Sequence, residues 1–263
     1  MGTCVPTSVL GPLGVLTTTQ RNLETIKLVT DATCPWNTAD VVGRLSLASF
    51  PRLKNLSWKG LSSQGDIESL VEVLTERSDQ LEELEIDLSH RYDAFRVHGG
   101  VGIVQLDAIA GGEFAAILNL SERETGTFSK LRKLTLSSVC LAPGNGQTTT
   151  MKRIHNLQKV FDFGSLTSLC LSDCPGWNLL LMVLTAGPQP IRLTRLEIQV
   201  RNSILSYNDT TIISHFLRAF RGLRELSVYT CDFADATLLW KALSHHQATL
   251  TRFSHHKRRK LLT

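Results

Sequence analysis

Leucines recur along this chain in one short pattern. In Gly164–Cys174 (GSLTSLCLSDC) they fall at 166, 169 and 171, with Cys174 three places on. That spacing is too tight and uneven for a helical face, which repeats at i, i+3, i+4 and i+7. It is also too uneven for a lone alternating strand. The same L-x-x-L-x-L spacing returns at Leu23-Ile26-Leu28, Leu53-Leu56-Trp58, Leu81-Leu84-Ile86, Leu131-Leu134-Leu136, Leu193-Leu196-Ile198 and Leu223-Leu226-Val228. Leu250 and Phe253 look like a frayed eighth copy. Successive copies begin 27 to 35 residues apart, except for one gap of 50 that marks an insertion.

A repeated L-x-x-L-x-L with a period of about 20 to 29 residues is the leucine-rich-repeat signature, here near its long end. Each copy predicts a short strand whose second and third apolar residues point inward, as Leu169 and Leu171 would. Helical stripes lie between the strands. Asp66–Ser78 aligns Ile67, Leu70, Val71 and Leu74, with Asp66 as its expected cap. Asp209–Phe220 aligns Ile212, Ile213, Phe216 and Leu217; Gly176–Leu184 and Asp235–Leu243 are further helices. A helix is also expected at about 101–120, inside the long insertion. The predicted fold is α/β, a single leucine-rich-repeat solenoid over residues 1–263. Its curved parallel sheet lines the concave side and its helices cover the convex side. Residues 254–263 are expected to form a disordered basic tail. Neither this end nor the first eighteen residues has the look of a well-made cap for such an array.

Composition and charge narrow the picture. The 263 residues are 42% hydrophobic and 20% charged, ordinary for a globular protein. Net charge is +4, and Lys257-Arg258-Arg259-Lys260 supplies all of it, so the body is balanced. A balanced body argues against nucleic-acid binding, which needs a basic face or stripe. The basic run can serve as a nuclear signal. No N-terminal stretch has the charged start and unbroken apolar run of a signal peptide or a membrane span. Met1-Gly2 with Cys4 hints at acylation, but Pro6 stands where Ser or Thr is wanted. The six cysteines show no pairing by spacing and suggest reduced thiols in the cytoplasm or nucleus. Cys174 and Cys231 occupy the buried slot after the strand, and Cys170 points to the open face.

Catalytic constellations are near misses. Gly60-Leu-Ser-Ser-Gln-Gly65 lacks the glycine of a nucleophile elbow, and Gly144-Asn-Gly146 is not followed by Lys-Ser/Thr. His245-His246 and His255-His256 are expected in a solvated tail rather than around a metal ion. No cofactor is implied. The concave face is the better candidate. Its outward positions are nearly free of large apolar residues, and Lys59, Glu83, Glu85, Asp87, Lys133, Arg195, Glu197 and Tyr229 lie among them. The third strand is acidic and has lysines on both flanks, which suggests a groove that selects a basic segment of a protein partner. A merely solvated sheet face is the simpler alternative. Loops after the third, fourth and sixth strands (89–100, 142–150 and 201–208) would share one rim, a common place for binding.

LRKLTLSSV, GSLTSLCLSDCPGW, GLRELSVYTCDF and the terminal TLTRFSHHKRR resemble the repeat region of fungal F-box/leucine-rich-repeat proteins, from about residue 20 onward. The resemblance implies a non-enzymatic protein–protein interaction scaffold, the substrate-receptor part of a ubiquitin ligase. An F-box would bring a Skp1-like adaptor as a further partner. No F-box is visible: residues 1–48 hold a repeat strand at 23 and lack the opening Leu-Pro pair and its helices. A GTPase-activating-type regulator is the alternative from another class, with Arg201 and Asn202 as its rim candidates. Neither a nucleic acid nor a membrane is an expected partner.

Overall fold

A computed structural model of the chain describes residues 7–30, 44–61, 64–88, 128–141, 157–158, 160–200, 207–230 and 235–257. Eight strands appear where the leucine pattern places them: β1 (Thr25–Val29), β2 (Asn55–Lys59), β3 (Glu83–Asp87), β4 (Lys133–Ser137), β5 (Ser168–Ser172), β6 (Arg195–Gln199), β7 (Glu225–Thr230) and β8 (Arg252–Lys257). They form one open, wholly parallel sheet in chain order, β1 to β8.

The register explains why every copy carries the same spacing. Leu56 pairs with Leu84, Leu84 with Leu134, Leu134 with Leu169, Leu169 with Leu196, and Leu196 with Leu226. The next inward row is Leu28, Trp58, Ile86, Leu136, Leu171, Ile198 and Val228. A slip of one residue would turn every leucine to the other face, so the apolar pattern holds the alignment. Burial follows the alternation strictly in β1, where exposed and buried positions take turns. Backbone pairing begins one residue before the strands: Arg132 N donates to Glu82 O, Thr167 N to Arg132 O and Thr194 N to Thr167 O, each at 2.8 Å.

Helices cover the apolar side. α1 (Thr7–Leu10) and α2 (Val15–Thr19) precede β1, and α3 (Gln64–Arg77) joins β2 to β3. Further on, α4 (Trp177–Ala186), α5 (Tyr207–Arg218) and α6 (Ala236–Leu243) lie between successive strands from β5 to β8 and pack side by side. One hydrophobic cluster contains both the strand leucines and the helix stripes. In α3 the fully buried stripe is Leu70, Val73 and Leu74, with Ile67 close behind; Val71 is only partly buried. α6 has a proper cap, since the Asp235 carboxylate accepts from Thr237 N at 2.9 Å and Leu238 N at 3.4 Å.

Several expectations need correction. Asp66 is not the cap of α3; the helix starts at Gln64 and Asp66 sits buried in its first turn. The sheet does not stop before the histidine-rich end. β8 pairs with β7 through Lys257, so residues 254–257 of the expected tail are strand. The rest of that tail lies outside the described residues, as do the helix expected at about 101–120 and most of the three long inserts. His246 is no solvated tail residue: it is 1% exposed, and its Nε2 lies 2.7 Å from Leu217 O.

Candidate functional site

Alternation leaves one face of the sheet polar. Its cations are Lys27, Lys59, Lys133, Arg195 and Arg252; its anions are Glu83, Glu85, Asp87, Glu197 and Glu225. All eight candidate residues read from the sequence (Lys59, Glu83, Glu85, Asp87, Lys133, Arg195, Glu197 and Tyr229) lie on this side, spread over β2, β3, β4, β6 and β7. The face is hollowed. A groove of about 320 Å³ crosses β1 to β6, and its lining includes Lys27, Ser57, Glu83, Glu85, Lys133, Thr135, Cys170 and Arg195.

The acidic third strand is not an open acidic patch. Glu83 forms an ion pair with Lys133, its neighbour straight across the sheet. Glu85 accepts from Ser57 and pairs with Lys59 at 2.9 Å. Burial opposes ionisation of Glu85, but the bonds from Ser57 and Lys59 outweigh it and hold the carboxyl below its usual range. The bond to Glu85 likewise raises Lys59. A second set lies at the other end. Arg195 contacts Glu197 at 3.1 Å and Glu225 at 3.9 Å, and Arg252 reaches Glu225 at 3.5 Å. The bond to Glu197 is the main cause that raises Arg195. Tyr229 stacks on His256 of the next strand, with ring centroids 5.8 Å apart and planes 15° from parallel.

These pairs are partly open to water, and each contributes only about 0–1 kcal/mol to stability. Their effect is to order long side chains on the surface. Between the two charged sets runs a middle of small side chains: Thr135, Ser137, Ser168, Cys170 and Ser172. Cys170 is half-buried there, and desolvation with the nearby Glu197 carboxylate pushes its thiol up to about 12. It is a poor nucleophile in this setting. Cys174, on the apolar side of the turn, reaches Leu136 O at 3.3 Å and Ser172 O at 3.4 Å, as its slot predicts. Cys231 lies outside the described residues.

The charged residues are legible in the sequence, down to the lysines flanking the acidic third strand, but their pairing across strands is less so, because most of the partners are far apart in the chain. Glu83 and Lys133 are separated by 50 positions. The signal was present in the aligned copies, where opposite charges stand at the same place in neighbouring repeats. Arg201 and Asn202, the rim candidates for GTPase regulation, lie outside the described residues. Among the described residues no group of three His, Cys, Asp or Glu side chains could hold a metal ion, and no helix is long and apolar enough to cross a membrane. Comparison with known proteins finds no matching family model, no matching curated protein and no matching solved structure.

Proposed function

We propose that the chain is a leucine-rich-repeat solenoid and a non-enzymatic scaffold whose polar sheet face receives a protein partner. One observation carries the reading: a hollowed polar face runs across strand after strand, and its charges are ordered by cross-strand pairs. Such a face offers many weak, directional contacts on a rigid frame, which suits an extended polypeptide better than a small substrate. The partner's own charges follow the order of the face, since binding must exchange one ion pair for another. A purely basic segment, suggested by the composition of the third strand, is a weaker fit because Lys59 and Lys133 already neutralise two of its carboxylates. In the substrate-receptor version of this role, the groove holds the substrate and a Skp1-like adaptor binds elsewhere, through a box outside the repeats. The setting of that role is cytoplasmic or nuclear.

The test is affinity capture with three baits: the unaltered chain, Glu83→Lys, and a control, Glu72→Lys, on the outer helix α3. A polypeptide recovered with the unaltered chain and the control, but lost with Glu83→Lys, supports the proposal. The melting temperatures of the three should agree within a few degrees, because the changed pairs are exposed. Identical sets of captured proteins from all three baits would remove the groove from consideration.

A further inference from the structure

A second hollow lies off the polar face, on the rim where the strands begin, and it goes beyond the reading above. It measures about 390 Å³ and is lined by Glu82, Lys130, Arg132, Gly164, Thr167 and Arg192, with the hydroxyls of Ser129 and Ser165. The register builds it. Lys133, Ser168 and Arg195 are aligned across β4, β5 and β6. The row one residue earlier is therefore Arg132, Thr167 and Thr194, locked by backbone bonds of 2.8 Å. Lys130, Ser165 and Arg192 lie in the connections just ahead of these rows and line the hollow with them.

Lys130 and Arg192 come from the copies on either side of the one that supplies Gly164, Ser165 and Thr167. The copy between them contributes only small residues there. A Cβ on Gly164 would stand 3.2 Å from Asp162 Oδ1 and 3.5 Å from Pro190 O, so the middle copy is already tight at its base. Two long cationic side chains flank a stretch where the middle copy contributes only Gly164, Ser165 and Thr167.

The charges differ from those of the sheet face. There four of the five cations, Lys59, Lys133, Arg195 and Arg252, have carboxylate partners, and Lys27 is the exception among the described residues. Here, among the described residues, none of Lys130, Arg132 and Arg192 makes an ion pair. Glu82 is the one carboxylate in the lining, and Asp162 beside it accepts from Gly164 N at 3.1 Å. Three cations against Glu82 and the adjoining Asp162 leave a surplus of one positive charge.

We infer that this rim hollow is an anion site that takes a phosphate monoester. The cations outnumber the carboxylates around the hollow, and guanidinium groups bind phosphate oxygens in pairs. The hydroxyls of Ser165 and Thr167 already donate to backbone carbonyls, so recognition rests on the three cations. The hollow has room for the group that bears the phosphate as well as the phosphate itself. That bearer is either a phosphorylated side chain of a polypeptide or a small organic phosphate.

The experiment is a calorimetric or NMR titration of the full chain with N-acetyl-phosphoserine amide, with glycerol phosphate and with inorganic phosphate. Saturable binding at millimolar concentration or below is expected for at least one of them. Arg132→Gln with Arg192→Gln should weaken it about tenfold or more, whereas Lys59→Gln on the sheet face should not. Affinity should also fall as pH drops through about 6, where the phosphate loses its second charge. Preference for the phosphoserine probe assigns the site to a phosphorylated polypeptide, and equal or better binding of the others assigns it to a small phosphate. Absence of saturable binding to all three, or unchanged affinity in a folded double variant, overturns the inference. Neither result bears on the sheet-face groove, which the Glu83→Lys bait tests separately.

Discussion

Leu169→Ala probes the inward row at the middle of the sheet. Leu169 is 0% exposed, and its aligned neighbours Leu134 and Leu196 are 1% and 0% exposed. The substitution removes three carbons, worth about 0.8 kcal/mol each in lost burial, or about 2.4 kcal/mol. A cavity term adds to this, because both neighbours are fixed to paired strands and cannot collapse far into the space. The expected loss is about 3–5 kcal/mol. Ser168→Ala, one residue away, changes the opposite face and should stay within about 0.5 kcal/mol. Urea denaturation of the full chain measures both, with the steepness of the transition checked for constancy. A loss under about 1 kcal/mol for Leu169→Ala, or an equal loss for Ser168→Ala, would refute the assignment of inward and outward rows.

Two further outcomes follow from buried groups. Burial holds His246 below its ordinary histidine value; the contact with Leu217 O opposes this, while His245 and Arg221 add to it. Its Nδ1 has no hydrogen-bond partner among the described residues, so a proton added there would be buried and unsatisfied. The unfolded chain takes up that proton near pH 6.5 and the folded chain only at lower pH. The stability contributed by neutral His246 is therefore complete above about pH 6.5 and is lost as pH falls toward the folded value. Urea midpoints at several pH values should show this slope, and the same slope in His246→Gln would contradict it. Cys170 and Cys174 are both pushed up to about 12 by burial. At pH 7.5 each is a thiolate in roughly one molecule in ten thousand or fewer, so limited alkylation of the folded chain should spare both. Peptide mapping that finds Cys170 labelled as fast as a free thiol would disprove its half-buried environment.

How far the chain could be read from its residues depended on which features repeat. The strands were legible to the residue: the outward triplet Glu83, Glu85, Asp87 spans the whole of β3, and Phe253 of the frayed copy pairs with Leu226. The reason is that every strand must satisfy the same inward row, so seven copies vote on one register. Features that occur once were harder. Asp66 resembled a cap because Asp commonly caps helices, yet the helix extends two residues further back. His246 looked like a tail residue because of its composition. Its burial follows from tertiary contacts, with Leu217 O 2.7 Å away and the ring of Phe220 5.1 Å away. The rim hollow is hard to read from sequence because its cations come from two separate copies, neither of which carries a motif by itself. Its signal was the Lys130-x-Arg132 and Arg192 positions on either side of a copy reading Gly164-Ser-x-Thr167.

The pairing on the sheet face changes what charge can do there. Five cations opposite five carboxylates produce little net field beyond a Debye length of about 8 Å, so long-range steering of a partner is weak. In the proposed role, selection of a segment would have to act at contact, where order matters more than amount. Glu225 lies between Arg195 and Arg252, and Glu85 bonds both Ser57 and Lys59. A ligand charge entering either set has to replace a bond that is already made, so a segment with the wrong order strands a carboxylate or an ammonium without a partner. In the role proposed for this face, that penalty would fall on mismatched segments and spare matched ones, so a face with almost no net charge would still discriminate.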